Sequence, residues 1–174
     1  AQLPLVSIAE EAGGAGGSVS DLAAVLRIAG RYAAPIPLAE TALAGWLLAG
    51  SGLKIPAGPL TIAPVHGEKI AARKDGARWK LAGEMKRVPW ARVAQHVVVL
   101  CSGPAGDIVA CVERGLCRIT PGHNLAHEPR DDVVLDEVAV AAGLAAPAAR
   151  GVDHHALRLR GALARSLLMA GALE

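Results

Sequence analysis

Phenylalanine is absent from this chain of 174 residues, and tyrosine occurs once. The large apolar volume must come from Leu, Val, Ile and three tryptophans. Alanine removes little area from water, so a free-standing core would be thin. The chain is expected to lean on another domain or subunit. A strong charge of either sign is also missing: Lys+Arg number 18 and Asp+Glu 16, a net charge of +2. The dispersed basic residues and scarce aromatics exclude a nucleic-acid surface. The apolar stretches at 41–53 and 138–149 are too short or too broken by Gly and Pro to span a bilayer. The opening AQLPLVSIAEEAGG has no basic region and no unbroken apolar core, which excludes a signal peptide; with no initiator Met, it reads as a trimmed or excised segment. Cysteine is scarce. Cys101, Cys111 and Cys117 do not have the spacing of zinc or redox motifs, and they read as small buried hydrophobes in a reducing, cytoplasmic compartment. The Ala/Gly/Arg-rich usage looks like that of a GC-rich bacterial genome.

What is present changes period once. Up to about Gly58 the pattern is helical: a short amphipathic segment at 5–12, the loop GGAGGS, then a helix capped by Ser20 and Asp21 and closed by Gly30. Pro35 and Pro37 set an extended entry into a second helix over 38–49. After Pro59 the pattern becomes short β-branched runs separated by turns, with an Asp-Gly hairpin signal in KDGAR. Such closely spaced strands predict an antiparallel barrel or sandwich. AAGLAAPAARG reads as a linker. HALRLRGALARSLLMAGALE is helical again, with Leu159, Leu163, Leu167 and Ala170 as its apolar stripe. It has no stop signal before Glu174, so the structure is expected to continue in the natural protein or its partner.

Local site motifs are weak. GGAGGS is neither a complete phosphate loop nor preceded by a strand. His123 and His127 are four apart, but Pro121, Gly122 and Pro129 deny them a helix, so no metal site is assigned. His154 and His155 read as linker surface. The Ser residues lack a nucleophile elbow, and Asp131 and Asp132 read as a solvated turn before a strand.

Three collinear stretches carry a resemblance. AAPIPLAETALAGWLLAGSG resembles the end of the N-terminal helical domain of the acyl-CoA dehydrogenase family in its divergent bacterial members. WKLAGEMKRVPWARVAQHVVVLC, which holds two of the three tryptophans, resembles that family's middle-domain hairpin. LRGALARSLLMAGALE resembles the first helix of its C-terminal bundle. The resemblance implies an α+β fold: a helical N-terminal lobe (1–58), a mostly antiparallel β-barrel middle domain (59–150) and the start of a C-terminal helical bundle (151–174). It implies FAD as cofactor and an acyl-CoA as substrate, which is dehydrogenated at Cα–Cβ in fatty acid metabolism. It also implies an electron-transfer acceptor and a homo- or hetero-oligomer. With Gly83 making the turn, Val88, Pro89 and Trp90 would lie along the flavin. Core filling is the other reading of Trp79 and Trp90.

The chain departs from the family pattern in three places. Arg87, Val88 and Pro89 stand where a Trp-Ile-Thr/Ser triplet is usual, and Pro89 cannot donate a backbone hydrogen bond to the flavin. APVHGEK replaces the longer loop that covers flavin and thioester. Ala164 stands where some members carry the catalytic carboxylate, next to an arginine that matches Arg165. Arg165 is therefore expected near the substrate, or else is a solvated helix-face arginine. No catalytic residue is assigned within the chain, and the 174 residues alone are expected to be inactive. Two functions follow: part of a flavin-dependent acyl-CoA dehydrogenase whose base lies elsewhere, or a degenerate dehydrogenase-like structural or partner subunit.

Overall fold

The computed structural model describes residues 3–63 and 70–174. Of APVHGEK only Ala63 is among them, so the expected change in the covering loop lies outside the described residues. The described part is α+β. Two helices, α1 (Val19–Arg31) and α2 (Leu38–Gly50), precede the strands, and α3 (His154–Ala172) follows them. The strands are β1 (Leu60–Ile62), β2 (Ala71–Asp75), β3 (Arg78–Pro89), β4 (His96–Gly103), β5 (Gly106–Glu113), β6 (Arg118–Thr120), β7 (Arg130–Ala141) and β8 (Ala145–Pro147).

The strands form one sheet in the order β6-β7-β3-β2-β4-β5-β8, with β1 pairing β4. Most pairs are antiparallel; β1 with β4 and the single β2–β4 pair are parallel. The expected barrel does not close among the described residues: β6 and β8 remain edges. Both are three residues long, β8 ends in Pro147 and β6 runs into Pro121. Proline has no N–H to extend a ladder, so it suits an edge and ends pairing there. β8 itself corrects the linker reading of 141–151, since Ala145 and Ala146 pair with Ala110 and Val109.

The valine run of β4 is buried on both faces. Val97, Val99 and Cys101 enter a core shared with Leu81, Met85 and Leu135, while Val98 and Leu100 enter a second core with Leu47 and Leu48 of α2 and Leu157 of α3. A strand covered on both sides needs no polar alternation. Thr41 pins α2 to the sheet: its hydroxyl donates to the Leu60 carbonyl (3.0 Å) and accepts from the Leu60 N–H (3.1 Å).

Several local expectations change. The first helix is capped by Ser18: its hydroxyl accepts from the Asp21 N–H, and the Asp21 carboxylate accepts from the Ser18 N–H at 2.7 Å. That reciprocal pair needs the three-residue spacing that Ser18 and Asp21 have and Ser20 and Asp21 lack. Gly30 lies inside α1, where an added Cβ would stand 2.0 Å from the Leu168 carbonyl oxygen. It is a contact glycine that lets α1 and α3 approach. Gly83 makes no turn: β3 is one continuous strand whose register to β7 shifts between Leu81 and Gly83 and again between Met85 and Val88. Glycine at φ +150° accommodates a bulge that bends the strand. On α3 the buried positions are Leu157, Ala164 and Gly171, while Leu159 and Leu163 are about half exposed. Of the expected stripe, Leu167 packs against the core of α1 and α2, while Leu159 and Leu163 stay about half exposed; close approach to α1 selects small residues at Ala164 and Gly171.

Candidate functional site

A cavity of about 450 Å³ opens where α2, the end of β3 and α3 meet. Leu43, Ile62 and Leu157 form apolar wall, and Pro89 and Ala164 line it as well. The end of β3 is held from two sides. The Thr61 hydroxyl, fully buried, donates to the Pro89 carbonyl. The Trp90 N–H donates to the Pro129 carbonyl at 3.2 Å. Pro89 has no N–H, so neither residue offers this cavity a free backbone donor.

The turn after β3 is fixed by Asp131, a fully buried carboxylate. It accepts from the Arg92 N–H (2.8 Å), the Arg92 side chain (2.9 Å from Nε) and the Gly122 N–H (3.1 Å). Burial pushes its pKa up, but Arg92 and the two N–H groups outweigh that and hold it below the usual carboxylate value. Asp131 is thus no solvated turn residue: it lies within β7 and ties that strand to the Trp90–Arg92 turn.

The charge in the cavity wall comes from two helices. Glu40, in the first turn of α2, is 3% exposed at its side chain and accepts from Arg165 of α3, whose side chain is 45% exposed. The positive end of the α2 dipole also favours the carboxylate. Glu40 was not singled out from the sequence, though a signal was there: it is the one charged residue in the thirteen of α2. Arg87, Arg130 and Arg158 also line the cavity; Arg130 pairs with Glu128 at 2.8 Å. Arg87 sits at the second irregularity of β3 with φ +56°, its N–H donating to Asp132 at 3.1 Å.

Of the residues singled out from the sequence, Pro89 and Arg165 meet in this cavity. Val88 is fully buried in the sheet core, and Trp90 is 8% exposed. Trp79 packs against the sheet core with Lys74 over its ring at 5.6 Å. His123 and His127 stack at 5.2 Å in the loop before β7, beside Arg87. Among the described residues no group of three or more His, Cys, Asp or Glu is placed to hold a metal ion. His154 and His155 open α3 rather than sitting in a linker, with Asp153 as its cap. The cysteines are unpaired, and burial pushes Cys101 up to about 12 and Cys111 and Cys117 up to about 11, far from a nucleophile's range. A larger groove of about 970 Å³ between Pro4, Pro37, Pro56 and Val93 has Lys54 as its only charged lining residue among those described. Convergent polar groups thus favour the smaller cavity as the site.

No helix among the described residues is long and apolar enough to cross a membrane. No protein-family model matches the chain, and no curated protein is significantly similar to it. Solved structures do match. A variant of the steroid ACAD Tcur3481–Tcur3483 shares 25% identity at a TM-score of 0.72, over 98% of this chain and 50% of that one. The ChsE4–ChsE5 complex from Mycobacterium tuberculosis shares 22% at 0.83, over 96% of this chain and 50% of that one. A glutaryl-CoA dehydrogenase from Mycobacterium smegmatis, solved with FADH2, shares 13% at 0.73, over 95% and 50%. The chain spans about half the length of these proteins. Over that half, it has the fold of the acyl-CoA dehydrogenase family.

Proposed function

We propose that these residues form the flavin- and thioester-facing part of an acyl-CoA dehydrogenase, with the proton-removing carboxylate supplied from outside them. The observation that carries this reading is the cavity in which Pro89 and Arg165 meet, within a fold shared with a steroid ACAD over 98% of the chain. FAD, which would accept the substrate's β-hydride, fits the residues present. Leu43, Ile62 and Leu157 supply apolar wall for a flat ring, and Arg87 and Arg158 supply exposed cations for phosphates. Pro89 gives the ring a surface but no hydrogen bond. Val88 and Trp90 belong to the same strand end and set its position from behind. Donors to ring or thioester then come from arginine side chains.

The chain's own share is to bind, orient and exclude water. Residues 1–58 and 151–174 act as helical walls around the β region of 59–150. An acyl-CoA, an electron-transfer acceptor and further subunits are the partners this reading requires. The isolated 174 residues are expected to be inactive, because Ala164 cannot take a proton and Glu40, the one carboxylate in the cavity lining among the described residues, is committed to Arg165.

That same commitment supports a second reading, a catalytically silent partner of an active subunit; among the structural neighbours is the ChsE4–ChsE5 complex. The test is the absorbance spectrum of the purified full-length protein, followed by anaerobic addition of acyl-CoA. Bound flavin that bleaches supports the dehydrogenase. A flavin-free protein, or flavin that no acyl-CoA bleaches, overturns it in favour of the partner subunit.

A further inference from the structure

We propose that the larger groove, on the far side of α2 from the cavity above, binds a single-chain alkyl carboxylate whose head group meets Lys54. The proposal is independent of the thioester reading. α2 divides the two spaces: Leu38 and Thr41 line the groove of about 970 Å³, whereas Ala39, Glu40 and Leu43 line the smaller cavity. The groove walls come from separate parts of the chain: the turn Leu3–Leu5, the links before and after α2, Val93 beyond β3 and Leu144 before β8. Pro4, Pro35, Pro37, Pro56 and Pro59 stand in these walls. Proline fixes its own φ and has no N–H, so the surface is pre-formed and poor in donors. The Thr41 hydroxyl is already spent on both backbone groups of Leu60. Ile36 and Val93 stay 52% and 50% exposed. A pre-formed apolar groove of this size suits a small ligand, and it binds one without the cost of ordering its own walls.

Lys54 supplies the sign of the head group. Of the described lysines, Lys74 lies over the Trp79 ring, Lys80 pairs with Asp75, and Lys86 pairs with Glu84 and Asp132. Lys54 is exposed, lines the groove and has no partner for its ammonium among the described residues. Its four-carbon stem can lie along the apolar wall with the charge at the rim. An alkyl chain ending in a carboxylate complements both features. A neutral chain leaves Lys54 unused, and a cationic one meets like charge. Burial of the chain carries the affinity. The exposed ion pair adds little, so Lys54 selects the head group rather than driving binding.

The test is calorimetric titration of the full-length protein with dodecanoate, decanoate and decanol. Dodecanoate should bind about tenfold more tightly than decanoate, because two further CH₂ groups are buried. Decanoate should bind about threefold more tightly than decanol, the scale of an exposed ion pair. Lys54→Met keeps the stem, and should abolish that preference while leaving decanol affinity unchanged. Ala57→Trp, at an exposed position of the groove lining, should weaken all three by about tenfold or more by taking the chain's place on the apolar wall. Gly161→Trp, in the smaller cavity, where an added Cβ meets nothing within 4 Å, should leave all three unchanged. Should Ala57→Trp fail to fold by circular dichroism, Val93→Trp carries the same expectation. Binding that is lost in Gly161→Trp and kept in Ala57→Trp puts the chain in the smaller cavity and overturns the proposal. So does equal affinity for decanoate and decanol in the wild type, or a carboxylate preference that survives Lys54→Met. Absence of heat with dodecanoate also overturns it; if Ala57→Trp then lowers the oligomeric state by sedimentation, the groove is a subunit contact instead.

Discussion

On β4 each residue from Val97 to Leu100 is buried, and alternate side chains serve two separate cores. On α3 the buried positions are Leu157, Ala164 and Gly171, while Leu159, Leu163 and Met169 face outward. The strand is held by the volume of its side chains. The helix is held where side chains are smallest: an added Cβ on Gly171 would stand 1.9 Å from the Arg27 carbonyl oxygen, and one on Gly30 2.0 Å from that of Leu168. The contrast explains how a chain without phenylalanine builds a core. The sheet fills space with Leu, Val, Ile and Met, and the helix pair closes distance instead. It also determines the site, because the close approach of α1 and α3 sets where Arg165 meets Glu40.

The contrast can be broken at its strongest point first. Leu81→Ala, at a fully buried position of the sheet core, should lower stability by about 3 kcal/mol, read by denaturant unfolding. Gly30→Ala adds one methyl group where none fits, and should cost about 2 kcal/mol by overpacking. An unchanged melting temperature for Gly30→Ala would mean that α1 and α3 do not touch as described. Asp131→Asn should cost about 1–2 kcal/mol near neutrality, since the amide cannot satisfy Arg92 and two N–H groups alike. Its pH dependence has a definite sign. Because the native Asp131 pKa is depressed, its stabilisation is complete above the ordinary carboxylate value and is lost as pH falls through the native one. Wild type and Asp131→Asn should therefore converge in stability in acid. The smallest effect sharpens the helix half of the contrast: Leu163→Ala, on the outward face, should change stability by less than about 0.5 kcal/mol in these 174 residues.

The strands were readable because β-branched runs and turn residues report a local geometry, and Asp75–Gly76 does lie at the hairpin between β2 and β3. The edges of the sheet were harder. β8 is three residues of an Ala/Pro-rich stretch, with nothing in its composition to mark it as strand. Helix positions were readable, but the facing of α3 was not. Hydrophobic periodicity weighs leucine heavily, whereas the buried face was chosen by backbone contact at glycine and alanine. The candidate cavity was only partly marked in the sequence. Pro89 and Arg165 stood out by family resemblance, and the structure brings both into one cavity. Glu40 was missed, and Asp131 read as a solvated turn, because their partners, Arg165 and Arg92, are 125 and 39 residues away. No local spacing reports an ion pair of that span.

Gly161 lines the cavity, and an added Cβ there meets nothing within 4 Å. Gly161→Trp should therefore fill the cavity without disturbing the fold. The deciding measurement is the rise in melting temperature of full-length wild type and Gly161→Trp when FAD and an acyl-CoA are added together. If the cavity is the ligand site, the two proteins melt alike without ligand, the wild type gains several degrees, and the variant gains less than about half of that. An equal gain in both proteins would contradict the assignment and move the site away from the meeting point of α2, β3 and α3.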